Sequence, residues 1–313
     1  MFAYTVRKLL FLFPTAFVVL VILFFMLRVV PGDPAVAALG TDATAETLKV
    51  LRMEMGLDRP LHIQFFDYVG GLLKGDLGRS LVTRTSIRKE IGEALPYTLS
   101  YAISSMIVAI VFGVLLGVIT AVRRNTTIDY FGRIFSLAGL SLPEFYLGLL
   151  LMFFLAVKLD FLPAVGAGDF SHPGELIRHL ILPTLTGGLV MTAYITRLTR
   201  SAILDVIRED YIVTARAKGL RESVVIFRHA LKNALVSIVT IVGMYFGLLL
   251  AGSIMVEIIF ARPGIGKLLL SAIKQNDYNV VQSVILVFCF TIMIVNLITD
   301  LIYALIDPRI VYK

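Results

Sequence analysis

Charge is scarce in this chain. Asp, Glu, Lys and Arg together make up 16% of its 313 residues. Cys289 is the only cysteine, so no intramolecular disulfide can form and the redox compartment cannot be read from sulfur. The four histidines, His62, His172, His179 and His229, are scattered, and no His-Glu-x-x-His pair occurs. No Gly-x-Ser-x-Gly nucleophile elbow is present either. These absences remove the usual metal-hydrolase, dithiol-redox and serine-hydrolase constellations. The nearest approach to a phosphate-binding loop is Pro263-Gly264-Ile265-Gly266-Lys267-Leu268. That loop needs glycine at 261 and a hydroxyl at 268, where the chain has Ala261 and Leu268. The segment reads as a tight turn feeding a short helix, and any ATP hydrolysis must occur in another polypeptide.

What the chain has in abundance is apolar surface. Hydrophobic residues reach 58%, and the mean hydropathy is +0.88. Charge-free runs cover 9–27, 94–122, 180–196, 234–256 and 278–299, and a sixth run, 134–157, is interrupted only by Glu144. About 20 apolar residues cross a hydrocarbon core of about 30 Å as a helix. Barrel strands are much shorter, and only helices or closed barrels satisfy their backbone in lipid. The expectation is an all-α membrane protein with six spanning helices. The run at 180–196 is the shortest and carries Pro183, so it must borrow flanking residues. The first run follows Arg7-Lys8 but is too long for a signal-peptide core and lacks a small-x-small cleavage site, so it reads as a retained span.

Basic residues set the orientation. With the N-terminus inside, one side collects Arg7, Lys8, Arg123, Arg124, Arg200, Arg208, Arg216, Lys218, Arg221, Arg228, Lys232, Arg309 and Lys313. The other side's short loops hold Lys158, Arg178, Arg262, Lys267 and Lys274. The asymmetry predicts both termini in the cytoplasm. The net charge of +7 is thus a topological signature, and nucleic acid is not an expected partner because no base-stacking aromatics interleave the basic residues. The predicted organisation is a cytoplasmic N-terminus and first span over 1–30, an extracytoplasmic segment over 31–93, and a five-helix core over 94–313. Within 31–93, helices are predicted at 44–55, stopped by Gly56, and at 61–74, with Phe65, Val69, Leu72 and Leu73 on the apolar side. Such helices lie on the membrane surface or help receive a soluble partner.

Inside the core, 199–233 reads as a basic cytoplasmic loop built from helix, glycine stop and helix. Val213, Thr214, Ala215, Arg216, Ala217 and Lys218 lead into Gly219, the residue best suited to a left-handed helix end, and Leu220 follows. Beyond it, Arg221, Arg228 and Lys232 share a predicted face, while Val224, Phe227 and Leu231 supply apolar positions at helical spacing. A loop kept basic only for topology has no use for that apolar set, which suits a partner protein.

This loop resembles the cytoplasmic loop of ABC importer permeases, E-A-A, three residues, G, nine residues, then I-x-L-P. Ala215, Gly219 and Leu231 fit; Val213 and Thr214 stand for Glu and Ala, and His229 and Lys232 replace Ile and Pro. The form T-A-R-A-K-G followed by R-H-A-L-x-N-A is similar to the B-type subunits of the dipeptide, oligopeptide, glutathione and nickel permeases. Pro31-Gly32-Asp33-Pro34, Gly56-Leu57-Asp58-Arg59-Pro60-Leu61, Gly75-Asp76-Leu77-Gly78, Leu162-Pro163-Ala164-Val165-Gly166, Pro263-Gly264-Ile265-Gly266 and Asp307-Pro308-Arg309 agree with that branch, in order, along almost the whole chain. The resemblance implies the type I importer (MetI-like) architecture in a bacterial inner membrane. It also implies a homologous second permease subunit, two ATP-binding subunits that carry ATP and Mg, and an extracytoplasmic substrate-binding protein. The chain itself would bind no cofactor or metal and catalyse nothing. Its cargo would be a di- or oligopeptide or glutathione, with a nickel complex as the alternative.

Glu144, preceded by Pro143, is the acid that interrupts the third run. An ionised carboxylate at mid-bilayer costs roughly 2.5–3.5 kcal/mol on insertion scales, so it must face protein or a pathway. It is either a gate or pathway residue or an interhelical hydrogen-bonding group, and Pro143 can kink its helix. Glu257 and Asp300 lie near span ends and read as structural. Gly113 and Gly117 form a G-x3-G packing signal in span two, and Gly243, Gly247 and Gly252 thin out span five. A rival reading, an ion-coupled secondary transporter, predicts paired ionisable groups or broken helices at mid-membrane.

Overall fold

The computed structural model describes residues 2–29, 35–36, 44–54 and 56–306. The expected motifs Pro31-Gly32-Asp33-Pro34 and Asp307-Pro308-Arg309 lie outside the described residues. Among the described residues five helical stretches are long and apolar enough to cross a membrane: Lys8–Met26, Ile87–Val122, Pro173–Val206, Glu222–Ile259 and Tyr278–Ile302. A sixth candidate is broken. Thr127–Ser141 and Glu144–Lys158 qualify together but bend by 104°. The unbroken span expected at 134–157 is therefore corrected. Proline removes a backbone donor and pushes the residue before it out of the helical region. Leu142 is accordingly extended (φ −85, ψ 127), and Pro143 (φ −61, ψ 136) starts the next helix one residue later.

The chain divides into two units, with the division falling inside α4 (Ile87–Val122) and α12 (Tyr278–Ile306). One unit covers 9–97 and 263–291. It holds most of α1 (Phe2–Val29), then α2 (Ala45–Glu54), α3 (Leu61–Leu73) and α11 (Ile265–Lys274). α3 packs on α1 through Phe65, whose ring meets Phe17 and Phe24 edge-on at 6.1 and 5.2 Å. Phe65, Val69 and Leu72 are half-buried, Leu73 on the same stripe is 85% exposed, and Gln64 is buried, its amide donating to the Arg59 carbonyl at 2.8 Å. The chain turns just after Leu73, where Gly75 is left-handed (φ +76). Asp277 ties down the loop before α4: its Oδ2 accepts from the Ser80 hydroxyl at 2.5 Å and the Leu81 amide at 3.1 Å. Ile87, Ile91, Ile265, Val280 and Val284 form the core beside it. The Pro263-Gly264 turn feeds α11, as the sequence reading expects.

The other unit covers 1–8, 98–262 and 292–313. α5 (Thr127–Ser141), α6 (Glu144–Leu151, continued by an i→i+5 turn over Met152–Lys158) and α10 (Leu231–Ile259) pack on α7 (Pro173–Val206). At about 1.5 Å per residue, the 34 residues of α7 reach about 50 Å, so it extends well beyond the apolar run that contains Pro183. The G-x3-G pair lets α4 approach α7 closely. A Cβ on Gly113 would lie 2.7 Å from Ile195 Cβ, and one on Gly117 would lie 2.5 Å from Thr199 Cβ. Lys8 and Asp300 pair at 2.7 Å, both partly exposed.

Candidate functional site

The basic loop forms an elbow. α8 (Asp210–Ala217) ends as Gly219 takes φ +73, and its amide returns to the Arg216 carbonyl at 2.9 Å. α9 starts at Glu222–Val224 and runs through an i→i+5 turn, Val225–Ala230, into α10. Buried and exposed apolar residues alternate along this stretch. Val225, Ile226 and Ala230 are buried, Val224 and Leu231 are half-buried, and Phe227 is exposed. Arg221, Arg228 and Lys232 are all exposed.

Ile212 and Ala215 of α8 join Val225, Ile226 and Ala230 in one cluster with Val118 and Ala121 of α4, Ile203 of α7, and Ala234 and Ile238 of α10. Each buried Ile or Val contributes about 1.5–3 kcal/mol where water is the alternative. The elbow is therefore fastened to the ends of three long helices. Arg216 clasps Glu222 through two hydrogen bonds of 3.1 and 2.6 Å across the Gly219 turn, and the Asn233 amide donates to the Tyr211 hydroxyl at 2.8 Å. What remains outward is a mixed tip: Tyr211, Val213, Leu220 and Phe227 are more than 40% exposed among Arg216, Lys218, Arg221 and Arg228.

A second device escaped the sequence reading. Asp129 is completely buried and accepts two hydrogen bonds from Arg200, at 2.7 and 3.0 Å, and one from the Asn125 amide at 3.0 Å. It ties the start of α5 to the stretch of α7 that leads into the elbow. Arg200 counted in the sequence only as topological charge. Asp129 stands just beyond a charge-free run and had no visible partner, because Arg200 lies 71 positions away.

At the helix break, Glu144 occupies the first turn of α6 and accepts a 2.5 Å hydrogen bond from the Tyr101 hydroxyl of α4. Gly187 of α7 and Gly252 of α10 make room for this pair. A side chain at 187 would collide with the Tyr101 phenol, and a Cβ at 252 would stand 2.8 Å from Glu144 Oε2. The interhelical bond that the sequence left as one option is thus present. Glu257, expected at a span end with access to the interface, is buried and accepts from the Thr98 hydroxyl at 2.6 Å, a protein donor replacing water. Arg262 is also buried, donating to the His179 carbonyl at 3.3 Å and to Ser100 at 3.4 Å.

Residues 113–312 match the family described as the binding-protein-dependent transport system inner membrane component, and residues 1–102 match its N-terminal counterpart. The chain belongs to this family. It is 42% identical over 313 residues to the glutathione transport system permease protein GsiC of Pectobacterium atrosepticum, and equally so to that of Salmonella typhimurium, with the whole of each chain covered. In fold it is similar to a chain of the inward-facing MetNI methionine ABC transporter, with a TM-score of 0.56 at 19% identity, covering 69% of this chain and 96% of that one. The chain is a multi-pass inner-membrane permease subunit of a binding-protein-dependent ABC importer with the type I architecture. It is a transport component rather than an enzyme, and it works with other transport subunits. Family membership decides against the secondary-transporter rival, although a broken helix is a feature that reading also predicted.

Proposed function

We propose that this permease forms half of a pore for glutathione or another short peptide, driven from the cytoplasm by two ATP-binding subunits. The reading places both termini inside, a homologous second permease alongside, and a binding protein on the outer face, where α2 and α3 of the 31–93 segment help receive it. ATP and Mg belong to the partner subunits. Residues 199–233 couple the motor to the helices, with the exposed residues from Val213 to Arg221, Phe227, Arg228 and Lys232 as the contact set, while buried Ala215 and half-buried Leu231 hold the elbow in place. Pro143 and Glu144 belong to the pathway.

The observation that carries the proposal is the elbow's two-sidedness. One face is anchored to α4, α7 and α10 by buried Ile, Val and Ala. The other leaves aromatic and aliphatic side chains exposed among arginines in a water-facing loop. Apolar anchors with arginine match what protein interfaces enrich, and rigid helix with clamped ends transmits displacement. Glutathione as cargo is supported by the names of the full-length relatives, whose length and identity match uniformly.

The test is reconstitution of this chain with its sister permease, the ATP-binding subunits and the binding protein. ATP-dependent accumulation of glutathione or a tripeptide is expected from the complete set. The single purified chain should move nothing when given ATP. Solute accumulation by the single chain, or a complete complex that runs on an ion gradient without ATP, would overturn the proposal.

A further inference from the structure

The helix break does more than bend a span. A cavity of about 460 Å³ opens beside it, lined by Ser141, Pro143, Glu144, Met191, Tyr194 and Tyr245 among others. This volume falls within the range of about 300–1,000 Å³ for small-molecule sites. Glu144 Oε1 is taken by the Tyr101 hydroxyl. Among the described residues Oε2 accepts no hydrogen bond, and the carboxylate has no cationic partner. A carboxylate in a membrane span normally faces a counter-charge or an aqueous cavity, and Glu144 is among the residues that line this one.

Tyr194 of α7 and Tyr245 of α10 bring their rings to 4.8 Å, tilted by 42°, in the wall of the same cavity. Ring faces attract ammonium groups. Ser141 and the two phenols add hydroxyls that can donate or accept. Among the described residues no three His, Cys, Asp or Glu side chains gather as a metal centre. One carboxylate, paired aromatic rings and aliphatic Met191 form a set that fits an organic ammonium group, not a metal ion.

We infer that this cavity is a transit site for the positively charged amino terminus of the transported peptide, with the Glu144 carboxylate as its counter-charge and Tyr194 and Tyr245 as its aromatic wall. The inference rests on the importer reading and specifies which chemical group of the cargo the permease itself recognises. Tyr101 is then a positioning residue: its hydroxyl fixes Oε1 and so holds the carboxylate in one orientation. The break is part of the wall, since the extended Leu142-Pro143 link lines the cavity itself.

The experiment uses the assembled importer in proteoliposomes, fed through its binding protein with a radiolabelled tripeptide bearing a free amino terminus. Glu144→Gln keeps the shape and the acceptor for Tyr101 and removes the charge. Uptake is expected to fall at least tenfold while ATP hydrolysis stimulated by the binding protein stays within twofold of wild type. Uptake within twofold of wild type would overturn the ammonium site and leave the importer reading intact. Loss of uptake and hydrolysis together, in a complex of normal size, would assign Glu144 a structural or gating role and overturn the site as well. Wild-type vesicles that hydrolyse ATP and take up no peptide would instead sink the importer reading. If the glutamine variant assembles poorly, Tyr245→Leu addresses the site from the ring wall. Reduced uptake with hydrolysis retained supports the site, and unchanged uptake overturns it.

Discussion

Replacing Gly219 by valine separates the cost of a backbone angle from the cost of a clash. Gly219 sits at φ +73, yet a Cβ built there meets no heavy atom within 4 Å. Any penalty is therefore conformational. A left-handed angle costs an L-residue roughly 1–2 kcal/mol, with β-branched residues at the upper end. About 2 kcal/mol displaces a two-state equilibrium by about 30-fold. The elbow does not melt under that load. Ile212 and Val225, both fully buried, flank the turn, and each contributes about 1.5–3 kcal/mol. The strain is expected to be relieved at the exposed tip, where α8 and α9 change their mutual angle and the proposed contact with the ATP-binding subunits loses its fit. The measurement is ATP hydrolysed per peptide accumulated in proteoliposomes, beside the yield of assembled complex. Gly219→Val is expected to raise that ratio several-fold at normal yield. Gly219→Asn, which tolerates the left-handed region, is expected to stay near wild type. An unchanged ratio in the valine variant would refute the mechanical role of the turn. Equal losses from valine and asparagine would refute the backbone angle as its cause.

Two ion pairs of similar geometry should behave differently. Asp129→Asn leaves Arg200, only 21% exposed, without its counter-charge; unpairing a buried ion costs about 3–5 kcal/mol, and the partial exposure of Arg200 puts the expected loss near about 3 kcal/mol, read as a lowered melting temperature of the complex. Arg216→Gln breaks a pair whose side chains are 41% and 53% exposed, so the same melt should shift by less than about 1 kcal/mol. A larger loss at Arg216 than at Asp129 would contradict the burial argument. Gly117→Leu places a Cβ 2.5 Å from Thr199 Cβ and forces α4 away from α7, an overpacking cost of about 1–3 kcal/mol that should reduce the yield of folded chain; wild-type yield would mean that the two helices can part cheaply.

Much of the fold was legible because its causes are local and additive. Each charge-free run carries its transfer free energy residue by residue, so the spans announce themselves without knowledge of their neighbours. Gly219 reads as a helix end because no other residue adopts that angle as cheaply, and Pro143 reads as a disruption because its ring acts on the residue directly before it. The Pro263-Gly264 turn and its short helix follow from the same kind of local chemistry. Spacing also named apolar positions such as Phe227 and Leu73 without deciding what covers them. Both are exposed within this chain, as side chains kept for a partner or a membrane surface are.

The sequence alone determined that this chain lives in a membrane, where its helices run, where its basic elbow ends its first helix, and which acid interrupts an apolar run. Only the tertiary structure decided that the apolar run around Glu144 bends through 104°, that Asp129 meets Arg200, that Thr98 answers Glu257, and that Tyr101, Glu144, Tyr194 and Tyr245 surround or adjoin one cavity. The physical reason is range. Transfer energies and backbone preferences act within a residue or two, whereas a buried charge finds its partner only after packing has brought together residues 71 or 159 positions apart.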